Sequence, residues 1–200
     1  MKKHLFLFIM LAALFMPTAL KAQETLTVYD ETMTNSHVPV YGFWADNYQK
    51  CEFVIPASQL QTMTNGAIGK MTFYLSNPAS AAWTGTFRVY LREVSETAIS
   101  SYYGTDGATV VYQGTLDGTG TTMEVPFTQA YSYNGGNLLV GFNVITPGNY
   151  KSATFYGTSV PNSCITGYDN SDLASVPASQ QDFIPKTTFT YTLPAGYRER

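Results

Sequence analysis

The chain predicts an all-β protein, a jelly-roll-like β-sandwich of roughly ten short antiparallel strands. Three observations carry this expectation. Short apolar or alternating segments recur with Gly, Asn, Asp and Pro between them. No stretch of useful length holds a 3.6-residue apolar period. Charged residues are 12% of the chain against 14% aromatic, a balance that suits pleated, half-buried surfaces better than a disordered stalk.

Residues 1–22 read as a secretory signal peptide. Lys2 and Lys3 precede an apolar run from Leu5 to Met16, then Pro17 to Ala22 with the small residue Ala22 at the end, the expected cleavage point. The run is too short for a comfortable membrane span. Residues 23–200 then form one exported β-sandwich domain with a short C-terminal tail. Loss of Lys2, Lys3 and Lys21 takes the 11 basic residues to eight against 14 acidic ones, moving the formal charge from −3 to −6. An acidic chain without a basic run offers nucleic acid no footprint and gains nothing from anionic lipid. No transmembrane segment is expected in the mature chain, which is placed in the periplasm, at the cell surface or outside the cell.

The strands are predicted in order. Thr25–Tyr29, Val38–Tyr41 and Gln49–Ile55 come first, and one or two helical turns at most fit Pro56–Met63. Ala67–Leu75 follows the turn at Asn65-Gly66. Thr86–Val94 alternates cleanly, with Phe87, Val89 and Leu91 to one side and Arg88, Tyr90 and Arg92 to the other, which predicts a half-exposed strand. Thr109–Gln113 and Thr121–Val125 are expected to form a hairpin about Asp117-Gly118-Thr119-Gly120. Pro126 should end the second of them, since proline cannot continue a central ladder. Asn134-Gly135-Gly136 is a strong turn signal before Asn137–Ile145. That strand is apolar on both alternations, so it belongs in the middle of a sheet covered on both faces. Lys151–Tyr156, Ser163–Tyr168 and Lys186–Thr192 complete the set.

Several blocks together resemble a known module: V-P-V-Y-G-F-W-A-D-N-Y-Q-K (Val38–Lys50), G-A-I-G-K-M-T-F-Y-L ending at Leu75, F-R-V-Y-L-R-E-V (Phe87–Val94), V-V-Y-Q-G (Val110–Gly114) and P-F-T-Q-A-Y-S-Y-N-G-G-N-L-L-V (Pro126–Val140). In this order they are similar to the β-sandwich module near the N-terminus of secreted and surface proteins of Bacteroidetes-type bacteria, often ahead of fibronectin type III domains. The resemblance implies a non-catalytic, jelly-roll-like module of adhesion or glycan-processing proteins, and it brings no catalytic residues.

Residue chemistry points the same way. His37 is the single histidine after residue 22, so a His-based triad has one possible centre, and a loop histidine beside a strand is the plainer reading. The acidic residues Glu93, Glu96, Asp106 and Asp117 show no spacing that makes a glycosidase pair. No enzyme activity and no cofactor are expected. Asp169-Asn170-Ser171-Asp172 could hold a structural calcium through Asp169 and Asp172, or form an ordinary Asx turn. Cys51 and Cys164 are either a disulfide, as export and an even count suggest, or two buried thiols packed as small hydrophobes. Tyr41, Trp44 and Tyr48 crowd one loop; they either hold a ligand or cap the core with their large buried area. The expected function is a non-catalytic binding or adhesion module for a glycan or surface protein at or near the bacterial surface. The alternative is a scaffold or self-associating domain of a larger surface assembly.

Overall fold

The computed structural model describes residues 22–197. The predicted signal peptide, residues 1–22, lies outside them apart from Ala22. Thirteen strands are described: β1 Gln23–Val28, β2 Met33–Asn35, β3 Tyr48–Ile55, β4 Ala67–Asn77, β5 Thr86–Val94, β6 Thr109–Gly114, β7 Thr122–Ser132, β8 Asn137–Thr146, β9 Thr154–Thr158, β10 Cys164–Asp169, β11 Ser179–Gln181, β12 Ile184–Pro185 and β13 Thr187–Thr192. They form two antiparallel sheets, one ordered β11-β10-β3-β8-β5-β6, the other β1-β13-β4-β9-β12 with β2 on β9 and β7 on β4. The protein is a β-sandwich, as its sequence predicts. Single 3-10 turns at Ala57–Gln59 and Gln61–Met63 account for the short helical expectation.

β8 lies between β3 and β5, where its two apolar alternations put it. Leu138, Val140, Phe142 and Val144 enter the main core with Phe53 and Ile55 of β3 and Phe87, Val89 and Leu91 of β5. The opposite sheet answers with Ile68, Met71, Phe73 and Phe189. Phe73 packs edge-on against Phe142 at 5.5 Å and against Phe53 at 6.4 Å, joining the sheets.

Leu139, on the other face of β8, joins Val54, Ile99 and Ile165 in a second buried cluster covered by Tyr102 and Tyr103. The loop between β5 and β6 therefore folds back over the outer face of its own sheet. This corrects the half-exposed expectation for β5: Arg88 and Arg92 are partly exposed, but Tyr90 between them is fully buried. Its hydroxyl donates to Oε1 of Glu52 at 2.6 Å. The Tyr103 and Gly104 amides donate to Oε2 and Oε1 of the same carboxylate, both at 2.8 Å. A buried carboxylate thus anchors the covering loop to the sheet.

The turn Asn134-Gly135-Gly136 is held by a second carboxylate. Oε1 of Glu93 accepts from the backbone and side-chain amides of Asn134, and Oε2 accepts from Gly136 N–H at 2.6 Å. Gly135 has φ +113°, which favours glycine, and a Cβ on Gly136 would stand 2.8 Å from Glu93 Oε2, so a side chain there would displace the carboxylate that holds the turn. Asn137 accepts from Ala57 N–H and donates to Ser95 C=O. The most distinctive sequence block of the chain serves as a structural clasp.

Four further expectations are corrected. Asp117–Gly120 is no hairpin, because β6 pairs with β5 and β7 with β4, so the segment crosses between sheets. Asp117 Oδ1 accepts from the Thr119 amide and hydroxyl there, and Gly118 lies against the Trp83 ring. Pro126 does not end β7, which runs on to Ser132. The recorded pairing of β7 is with β4 alone, and an edge strand tolerates a residue that cannot donate. Val38–Tyr41 forms no strand in the described residues; its Val38, Pro39 and Val40 are buried, Val38 and Val40 within the main core.

The disulfide is the fourth. Cys51 and Cys164 are free and buried. Both face the core on neighbouring strands, but Cys51 is opposite Thr166 and Cys164 opposite Phe53. Such diagonal neighbours stand roughly 7 Å apart, against the ~3.8 Å between Cβ atoms that a bridge requires. Burial pushes both thiols up, Cys164 to about 12. Thiol titration of unreduced protein should find no reactive thiol in the native state and two after denaturation; none after denaturation would show a bridge.

Candidate functional site

The site is built where β2, the loop before β3, the end of β10 and the loop before β9 converge. Asn35 Oδ1 accepts from the amides of His37 and Val38 and starts the loop. A 3-10 turn at Gly42–Trp44 follows, with Trp44 N–H donating to Tyr41 C=O at 3.0 Å. Gln49 Nε2 donates to Tyr41 C=O at 2.8 Å. Gly42 is needed for packing: a Cβ there would meet Lys151 C=O at 2.2 Å and the Trp83 ring at 2.9 Å. Lys151 N–H donates to Gly42 C=O and Gly148 N–H to Ala45 C=O, tying this loop to the one before β9.

On this frame six rings form a continuous strip. Trp44 stacks on Tyr168 with centroids 4.7 Å apart and planes 12° apart. Tyr41 meets Tyr168 edge-on at 5.9 Å, and His37 packs on Tyr41 at 4.1 Å. On the other side Phe43 meets Trp44 edge-on at 5.1 Å and Tyr150 at 6.1 Å. Phe43 is 48% exposed, Tyr150 59% and Tyr168 38%. Tyr41 and Trp44 are half-buried. Large exposed apolar rings gathered in one place mark interaction surfaces.

Two of the three rings expected from sequence, Tyr41 and Trp44, are therefore brought together, but through Tyr168. Tyr48 is separated from them. Gln49 and Cys51 point inward on β3, so alternation turns Tyr48 to the outer face, opposite Asp169. Tyr168 was missed because only the β10–β3 register, Tyr168 opposite Gln49, places it beside Trp44. Tyr150 follows a Pro-Gly-Asn turn signal and could have been noticed as a loop-tip aromatic. Trp83 is core, with its Nε1 donating to Lys151 C=O at 2.9 Å.

The chemical candidates have plain structural roles. Burial lowers the His37 pKa, leaving a neutral ring at pH 7. The hydroxyl near its Nδ1, at 3.4 Å, belongs to the adjacent Ser36. Asp169 Oδ1 accepts from the amide and hydroxyl of Ser171, and Asp172 Oδ1 from Ser175 N–H, so the acidic loop is built from Asx-type turns. Those bonds hold the Asp169 carboxyl below the usual range. Among the described residues no three His, Cys, Asp or Glu side chains gather as a metal site. No helix of the described residues is long and apolar enough to cross a membrane.

No family model and no curated protein matches the chain. Among solved structures it is similar to the cysteine protease and lectin-like domains of Cwp84, a surface layer associated protein of Clostridium difficile, with 12% identity and a TM-score of 0.44. The match covers 74% of this chain and 33% of that one, so the chain spans about a third of its length. The class of protein that fold and site define is a β-sandwich domain with an exposed aromatic strip at one end.

Proposed function

We propose that this is an exported, non-catalytic binding module that takes carbohydrate on its aromatic strip, at or near a bacterial cell surface. One observation carries the reading: Phe43 and Tyr150 are exposed yet stand on loops fixed by backbone hydrogen bonds, and Tyr168 is exposed near the end of β10. Folding has already ordered these loops, so binding loses little further entropy there. The apolar C–H face of a sugar packs on the negative face of an aromatic ring. Trp44 acts mainly as backing for Tyr168, since one of its faces is stacked. Kinship with Bacteroidetes-type surface modules belongs to the same proposal and rests on the sequence blocks.

A glycan array with the chain from Gln23 tests the reading. Binding is expected to at least one glycan class, and Phe43→Ala with Tyr168→Ala should weaken it more than tenfold with little change in Tm, because both rings are exposed. A silent array together with concentration-dependent self-association would replace the reading by that of a scaffold domain.

A further inference from the structure

We infer that the groove between Phe43 and Tyr150 is a subsite for an acidic sugar whose carboxylate meets the ammonium of Lys151, an inference that rests on the carbohydrate reading above. The groove has a volume of about 410 Å³ and is lined by the two rings, Asn77, Pro78, Ser80, Lys151 and Ser152. That is room for a small ligand. The rings are inclined at 59° to one another, forming an open V on which a sugar face can rest. Amide and hydroxyl groups of Asn77, Ser80 and Ser152 can donate to and accept from sugar hydroxyls.

Lys151 is the charged residue of this lining. The ion pairs of the described residues are Lys70 with Glu124 and Lys186 with Asp30, and Lys151 stands in neither. Its backbone is pinned on both sides, N–H to Gly42 C=O at 2.8 Å and C=O from Trp83 Nε1 at 2.9 Å. The loop leading to it is pinned as well: Asn149 Oδ1 accepts from Thr84 N–H at 2.7 Å, and Asn149 Nδ2 donates to Ala82 C=O. Tyr150 and Lys151 are thus presented from a fixed backbone. The chain is acidic overall, but charges beyond a Debye length of ~8 Å are screened at physiological salt. Within the lining the attractive charge for a carboxylate is supplied by Lys151. One partly exposed ion pair supports a preference of up to about fivefold, no more.

The test is calorimetry of the chain from Gln23 against a panel of uronate-containing polysaccharides and their neutral counterparts. Expected is a preference of about two- to fivefold for an acidic member over its neutral counterpart, lost in Lys151→Gln and in high salt, with affinity for the neutral member unchanged. Equal affinities, binding confined to neutral members, or a preference that survives Lys151→Gln would overturn the inference while leaving the carbohydrate reading intact. No binding to any member would overturn the inference, and the carbohydrate reading falls with it only where the glycan array is silent as well.

Discussion

Gly141→Ala should destabilise the domain by about 3 kcal/mol, lowering Tm by roughly 6–12 °C for a domain of this size. Gly141 is in the middle of β8, on the face turned away from the main core, opposite Glu52 and Tyr90. The Tyr90 ring lies flat across it. A Cβ at this position would stand 2.1–2.7 Å from three ring carbons, so the ring must move. Tyr90 cannot move without leaving Glu52, its buried hydrogen-bond partner. The clash and the lost bond therefore add. A double-mutant cycle checks the cause: in a Tyr90→Ala background the same substitution should cost under about 1 kcal/mol, because the obstacle is gone. Equal penalties in both backgrounds would disprove the account.

Glu52→Ala is expected to cost about 3 kcal/mol by denaturant titration, since it orphans three donors at once: Tyr90 O–H and the amides of Tyr103 and Gly104. Hydrogen exchange at Tyr103 and Gly104 should accelerate along with it, because that carboxylate holds the loop. Glu52→Gln should fall between, as its single carbonyl oxygen replaces two acceptors and its amide faces a donor. Burial raises the Glu52 pKa, outweighing the three hydrogen bonds that lower it. The sign follows: the contribution from this shift is fully present below the unfolded carboxyl pKa of ~4.3. It is lost as pH rises through the raised folded value. Stability of Glu52→Gln relative to the parent should therefore improve as pH rises through that window. A difference independent of pH would show that the carboxyl is not shifted.

The candidate site was legible only in part, for a local reason and a distant one. Tyr41 and Trp44 are close in the chain, and a loop packed with rings is visible as such. Tyr48 looked equivalent to them, yet it is already in β3, where alternation sends it to the opposite face. Tyr168 and Tyr150 reach the strip from far along the chain, through strand register and through the bonds of Lys151 and Gly148 to the earlier loop. The cysteines show the same limit. Sequence placed Cys51 toward the core, but only the register offset of two residues keeps it from Cys164.

Sequence by itself determined the all-β class and the central place of β8, because apolar patterning is a local property that any burial of that strand must satisfy. It also determined the turn at Asn134-Gly135-Gly136, since positive φ restricts residue choice wherever the chain goes. Tertiary structure decided what covers what. Tyr90 alternates as if exposed and is buried by a loop that a distant carboxylate, Glu52, holds down. Pro126 reads as a strand end and is tolerated because β7 is at an edge. Which rings share a surface depended on pairing between strands more than a hundred residues apart, β3 with β10, and no local pattern encodes that distance.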